Sequence, residues 1–252
     1  GGGLAVLFSE DVCCSACAGS LPETIAVPGF TGASEDTITG TIAMWKNRTD
    51  CMVIGPGMGR SKKAGEAFLL ALSAWDKKMI VDGDGLYWLR EYGTQCARKG
   101  DMLITPHEGE AALLLGLEPG EVKSERSASV RKLAEKWGTA LLKGRETLVD
   151  DGRRTLLVSE GNRVLAVPGS GDVLAGISAF FVSSGLPIPQ AAALAAFVHG
   201  RAGNRVSGEK GLDGVLASEI ADAVPPVIRE MRENRVFPFF KQQNRENTDA
   251  AR

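Results

Sequence analysis

Val167-Pro168-Gly169-Ser170-Gly171-Asp172-Val173-Leu174-Ala175-Gly176 is the stretch on which the fold turns. Small residues end at a carboxylate, and an apolar run at helical spacing follows. Val173, Leu174, Ile177, Phe180 and Phe181 fall on one face, which predicts a helix from about Asp172. Its first turn then follows Gly169-Ser170-Gly171 directly. Free N–H groups and the positive end of the helix dipole favour an anion there, and the glycines leave room for a phosphate. Asp172 has two readings. It is either an N-cap for its own helix or a base that takes a proton from a hydroxyl whose phosphoryl acceptor the loop holds.

Moving outward, the same strand, polar loop, helix order recurs. Cys51-Met52-Val53-Ile54 reads as a buried strand running into Gly55-Pro56-Gly57-Met58-Gly59, with a helix over 61–75. Strand 78–81 ends in Asp82-Gly83-Asp84-Gly85. Strand 102–105 ends in Pro106-His107-Glu108-Gly109-Glu110, with a Leu-rich helix after it. Strand 140–142 ends in Lys143-Gly144, and 147–149 with 155–158 reads as a hairpin across Asp150-Asp151-Gly152. Such alternation predicts right-handed crossovers and a mostly parallel sheet whose ligands bind beyond the carboxyl ends of the strands. Two further helices are expected over 189–206 and 216–232. Residues 10–46 give one helix over 36–45 in otherwise irregular chain. From Asn234 on, a polar tail is expected, with 236–240 as its one apolar stretch.

Each loop also has a bland reading. The glycine-rich turn matches neither the dinucleotide fingerprint nor a P-loop. Asp82 and Asp84 can be turn-formers or can orient magnesium. His107 is either a donor to a substrate carbonyl or sugar or a satisfied structural histidine, and His199 inside an Ala-rich helix reads as packing. Lys143 is either a cation for a polyphosphate or a snorkelling surface lysine. Their shared placement at one sheet edge favours the functional readings.

The bulk numbers narrow the class. The chain has 252 residues, 44% hydrophobic and 24% charged, enough for one large α/β domain. A formal charge of −2 with scattered Lys and Arg argues against a nucleic-acid partner. Five cysteines, with Cys14 and Cys17 in a lone CxxC, fit neither a disulfide framework nor a zinc site, so a cytoplasmic location is expected. No run approaches a membrane span.

Taken together, these motifs resemble the ribokinase-like superfamily, and within it the nucleotide-dependent NAD(P)H-hydrate dehydratases. The resemblance rests on 53–59, 81–86, 103–110, 142–144 and 168–176, supported by Val198-His199-Gly200 and 211–220. It implies a three-layer αβα fold over 1–232 and a tail over 233–252. It implies ADP, or else ATP, as phosphoryl donor with Mg2+, and hydrated NADH or NADPH as substrate, in a homo-oligomer. By carry-over Asp172 is the base and Gly169, Ser170 and Gly171 form the anion hole. Lys143, Gly144, Arg145, Glu146 and Thr147 contact the nucleotide. Gly57, Gly59 and His107 line the hydrate site, with Asp82, Asp84 and Glu110 in support.

The sequence also departs from the family pattern. Gly83 and Gly85 stand where alanines are common, which is expected to loosen that loop. Arg163-Val164 replaces Pro-Gly, Leu165 stands for Met, and Asn204 and Glu219 stand for Asp. The family carries a first strand and helix ahead of the Gly-rich opening, so one core strand and part of the hydrate site are expected to be missing. Two alternatives to the dehydratase are a kinase of the same superfamily acting on a hydroxymethylpyrimidine or hydroxyethylthiazole, and a catalytically silent nucleotide-binding protein.

Overall fold

The computed structural model describes residues 2–93, 101–234 and 241–242. The elements in order are β1 (Val6–Ser9), α1 (Asp11–Ser20), β2 (Ile25–Pro28), α2 (Glu35–Lys46), β3 (Cys51–Ile54), α3 (Lys62–Ala74), β4 (Lys78–Val81) and α4 (Asp84–Tyr92). Then come β5 (Met102–Ile104), α5 (Glu108–Leu115), α6 (Pro119–Ser124), α7 (Arg126–Trp137), β6 (Thr139–Leu142), β7 (Thr147–Asp150) and β8 (Thr155–Val158). Last are α8 (Ser170–Ser183), α9 (Ile188–Lys210), α10 (Ala217–Glu233) and β9 (Lys241–Gln242).

A seven-stranded sheet runs β3-β4-β5-β6-β7-β8-β9. Its first four strands are parallel, and the expected hairpin makes the far side antiparallel. Strand alternation divides the core between two layers of helices. Met79, Val81, Met102, Ile104, Ala140 and Leu142 pack with α2, α3, α4, α5 and α7. Ile80, Leu103 and Leu141 face the other way, onto α8, α9 and α10. A period of two thus buries both faces, as a parallel sheet covered on both sides requires.

The amino-terminal region differs from its expectation. Where irregular chain was expected over 10–46, α1 and β2 stand beside α2, and β1 pairs parallel with β2 in a separate two-stranded sheet. The helical signal of α1 was weak because its Cys, Ala and Ser residues bury little, with Cys14 its one buried side chain. Edges β1 and β3 face each other unpaired across a cavity of about 1010 Å³. Its walls include Val6, Phe8, Phe30, Trp45, Ile54 and Phe180. The buried Trp45 Nε1 at this seam has no partner among the described residues. At the other end of the chain, Lys241–Gln242 pairs antiparallel with Leu156 and Leu157 of β8. The apolar stretch 236–240 lies outside the described residues.

Candidate active site

Helix α8 begins two residues before the expected position, with Gly169 in the left-handed region (φ 84°) as its N-cap and no side-chain cap. The cap reading of Asp172 is thereby excluded, because Asp172 occupies the third helical position and its carboxyl is spared for other work. Ser170 N donates to Val167 O (3.2 Å) and Val173 N to Gly169 O (3.1 Å), while the Gly171 and Asp172 amides take no acceptor among the described residues. Two open amides and the helix dipole are what an oxyanion of phosphate needs.

Lys143 closes β6 and reaches this loop. Its Nζ lies 2.9 Å from Asp82 Oδ1 and 3.6 Å from Glu110 Oε2. A Cβ built on Gly171 would sit 3.4 Å from Lys143 Nζ and 3.8 Å from Asp82 Oδ2, so the glycine brings α8 against this ion pair. Asp82 is 2% exposed. Partial desolvation raises the pKa of Asp172 and the Asp82 charge adds to the rise, while Lys143 opposes them. A carboxyl so placed is a stronger base than a free aspartate.

Glu110 ties the β5 loop to the same cation. Its Oε2 accepts from His107 N (2.8 Å), and His107 Nδ1 accepts from the amides of Gly109 (3.0 Å) and Glu110 (3.2 Å), a reciprocal cap for α5. The structural reading of His107 therefore holds. Nδ1 is the accepting atom of the cap, and Nε2, on a side chain 60% exposed, lies 3.6 Å from Glu110 Oε2. Lys143 N donates to Pro106 O (2.8 Å) and joins the β5 and β6 loops through the backbone.

Asp84 serves the glycine-rich turn. Its Oδ2 accepts from Gly59 N (2.9 Å), its Oδ1 pairs with Arg60 Nε (2.9 Å), and Arg60 stacks over Tyr87 at 4.8 Å. Gly57 lines the mouth of the seam cavity with Gly55, Pro56 and Met58. Contrary to the expected loosening, Gly85 makes the β4 loop tight, while Gly83 takes a positive φ of 55°. A Cβ on Gly85 would lie 2.9 Å from Ile54 O, and one on Gly55 would lie 1.9 Å from Asp82 O. Two backbones pack where side chains would clash.

The structure also brings in residues that sequence reading passed over. Arg126 pairs with Glu108 and donates to Glu146 O (2.7 Å), Leu142 O (3.4 Å) and Lys143 O (3.5 Å), so it pins the 143–147 loop. No local signal marks it, since its partners lie far along the chain. Arg145 and Glu146 themselves stand exposed, and Thr147 opens β7 opposite Val158. His199 bonds Ser170 Oγ at 3.0 Å through Nε2. The departures at 163–165, 204 and 219 are seated too. Leu165 fills the notch at Gly203, Asn204 bonds Asn162 (2.8 Å) and Glu160 (3.0 Å), and Glu219 caps α10 at Leu216 N (3.0 Å).

A mixed sheet with a parallel half over β3 to β6, set between two helical layers, is a ribokinase-like fold, shared with solved structures such as a ribokinase-like superfamily protein of Enterococcus faecalis (TM-score 0.76). The family described as NAD(P)H-hydrate dehydratase matches residues 9–226, and the chain belongs to it. The bifunctional NAD(P)H-hydrate repair enzyme Nnr of Thermanaerovibrio acidaminovorans is 38% identical over 208 residues, which are 80% of this chain and 40% of that protein. An ADP-dependent (S)-NAD(P)H-hydrate dehydratase of Neisseria meningitidis is 35% identical over 178 residues, 68% of this chain and 60% of that one. The matches thus span 40% and 60% of the lengths of these two relatives, less than two thirds of each. Among solved structures, the ADP/ATP-dependent NAD(P)H-hydrate dehydratase of Bacillus subtilis, co-crystallized with ATP/Mg2+, superposes with a TM-score of 0.73. That match is 23% identical and covers 91% of this chain and 80% of the other, a likeness of fold.

Proposed function

We propose that this chain dehydrates (S)-NADHX and NADPHX to NADH and NADPH, using ADP in preference to ATP. The observation that carries the reading is Asp172, uncommitted as a cap, beside two open amides and the Lys143–Asp82 pair. Asp172 takes the proton of the hydrate hydroxyl as its oxygen bonds to the terminal phosphorus and the P–O bond to the nucleotide breaks. The Gly171 and Asp172 amides and Lys143 take the charge that grows on the transferred group. Loss of phosphate, with a proton from the neighbouring ring carbon, completes the removal of water and restores the reduced nicotinamide.

Magnesium fits as an ion carried by the nucleotide. No group of three metal-ligating side chains exists among the described residues, and magnesium commonly needs only one or two carboxylates beside phosphate oxygens. Asp82 is the carboxylate at the loop that would orient it, and it would supply further neutralisation of phosphate charge. His107 Nε2–H and the turn at Gly57 and Gly59 are the groups we assign to the hydrate, and 143–147 those we assign to the nucleotide.

The reading treats 1–232 as the catalytic domain and 233–252 as its tail. It places the enzyme in the cytoplasm as a homo-oligomer, for which exposed Met44, Leu212 and Leu216 offer apolar surface. No described helix is long and apolar enough to cross a membrane. The test is absorbance at the reduced-nicotinamide band after mixing the protein with hydrated NADH, magnesium and ADP or ATP. Recovery is expected, faster with ADP. A phosphorylated product without recovery overturns the dehydratase in favour of a kinase.

A further inference from the structure

Helix α9 contributes to the anion loop from below. Ser170 is 2% exposed and His199 is 7% exposed, and the 3.0 Å contact between Ser170 Oγ and His199 Nε2 joins α8 to α9 at the residue that starts the anion-binding turn. A hydroxyl buried this fully has no water to turn to, so its partner fixes its rotamer. The same part of α9 also fixes the chain that enters the loop. A Cβ on Gly200 would lie 2.6 Å from the Glu160 carbonyl carbon, and one on Gly203 would lie 2.5 Å from Leu165 Cδ2. One turn of α9 thus holds the segment 160–170 near both of its ends.

We propose that His199 is a positioning residue for the phosphate loop. By holding Ser170 Oγ under the first turn of α8, it sets the height at which the Gly171 and Asp172 amides and the Asp172 carboxylate meet a terminal phosphate. This rests on the dehydratase reading only in naming the phosphate as that of ADP or ATP. Burial lowers the His199 pKa to about 4, with the Lys143 charge in the same direction and the Ser170 backbone opposing both. The ring is therefore neutral near pH 7 and adds geometry to the loop rather than charge.

The test uses the full chain and four variants: H199Q, whose side-chain amide can still bond Ser170, then H199L, S170A and the double variant S170A/H199L. Affinity for ADP is measured by calorimetry without substrate, kcat and KM are measured for hydrated NADH, and Tm confirms folding. H199Q is expected to bind ADP within about 3-fold of the parent, and H199L about 10-fold or more weakly. H199L should lose kcat while the KM for the hydrate stays within about 2-fold. S170A should also bind ADP more weakly, and the double variant should be no worse than H199L, since both act through one contact.

A folded H199L that binds ADP like the parent, or losses that add in the double variant, overturns the proposal. If H199L fails to fold, S170A decides, and parental ADP affinity in S170A overturns it equally. A parent that binds ADP without restoring NADH defeats the dehydratase reading alone. A parent that binds neither ADP nor ATP defeats both.

Discussion

Val53 on β3 and Ile80 on β4 are register partners one strand apart, yet Val53 is 37% exposed and Ile80 is fully buried. Both strands are short and apolar, Cys51-Met52-Val53-Ile54 beside Lys78-Met79-Ile80-Val81. Their difference lies in their surroundings. Strand β4 has a neighbour on each side and helices on both faces, whereas β3 has β4 on one side and the seam cavity on the other. Where the sheet is complete, between β4 and β6, the strand ends hold Asp82, the 106–110 loop and Lys143 in one hydrogen-bonded cluster. Burial there makes the charges count, because desolvation strengthens their coupling. At the seam, similar strand sequences enclose space and an unpartnered Trp45 Nε1.

The largest expected effect is at the complete edge. Asp172→Asn should lower kcat by about 10³-fold with ADP affinity unchanged, measured by turnover and calorimetry; an active variant would sink the base assignment. Its stability should go the other way. Because Asp172 has a raised pKa when folded, the stability linked to its proton is full below the ordinary carboxylate range. That stability is lost as pH rises through the folded value, so the Asn variant should keep or gain Tm at pH 7.

Gly55→Ala should be the most damaging to folding, because its Cβ would meet Asp82 O at 1.9 Å with φ at +117°. A loss above about 4 kcal/mol in urea unfolding is expected, and a loss below about 1 kcal/mol would show that the two loops can part. The register pair then tests the comparison directly. Ile80→Ala should cost about 2–5 kcal/mol and Val53→Ala under about 1 kcal/mol; equal costs would mean that the seam is closed in solution.

The smallest effect is a displacement of the pH profile. Asp82→Asn removes a charge that raises the Asp172 pKa, so the acid limb of kcat/KM should move to lower pH, and Lys143→Met should move it to higher pH. An acid limb that ignores both changes would separate Asp172 from that ion pair.

Much of this was legible in the sequence because local patterns report local physics. Alternating strands and glycine-rich loops marked the parallel sheet, and the hairpin at Asp150-Asp151-Gly152 was readable from turn chemistry. The motifs also named Asp172, Lys143, His107 and Asp82 as candidates. Helix α1 escaped because its small residues give little periodicity. Arg126 escaped because nothing near it in the chain resembles its partners. His199 was legible as buried, which was correct, but its bond to Ser170 spans 29 residues and two helices.

The sequence by itself therefore determined the succession of strands from Cys51 to Val158, the placing of charged loops at strand ends and the small residues beside Asp172, since each follows from side-chain spacing along the chain. Only the tertiary structure decided that Asp172 is not a cap, that Gly85 tightens its loop, and that His199 meets Ser170 at the start of α8. Each of these depends on which backbones and side chains meet across the sheet, and desolvation and close contact act through space.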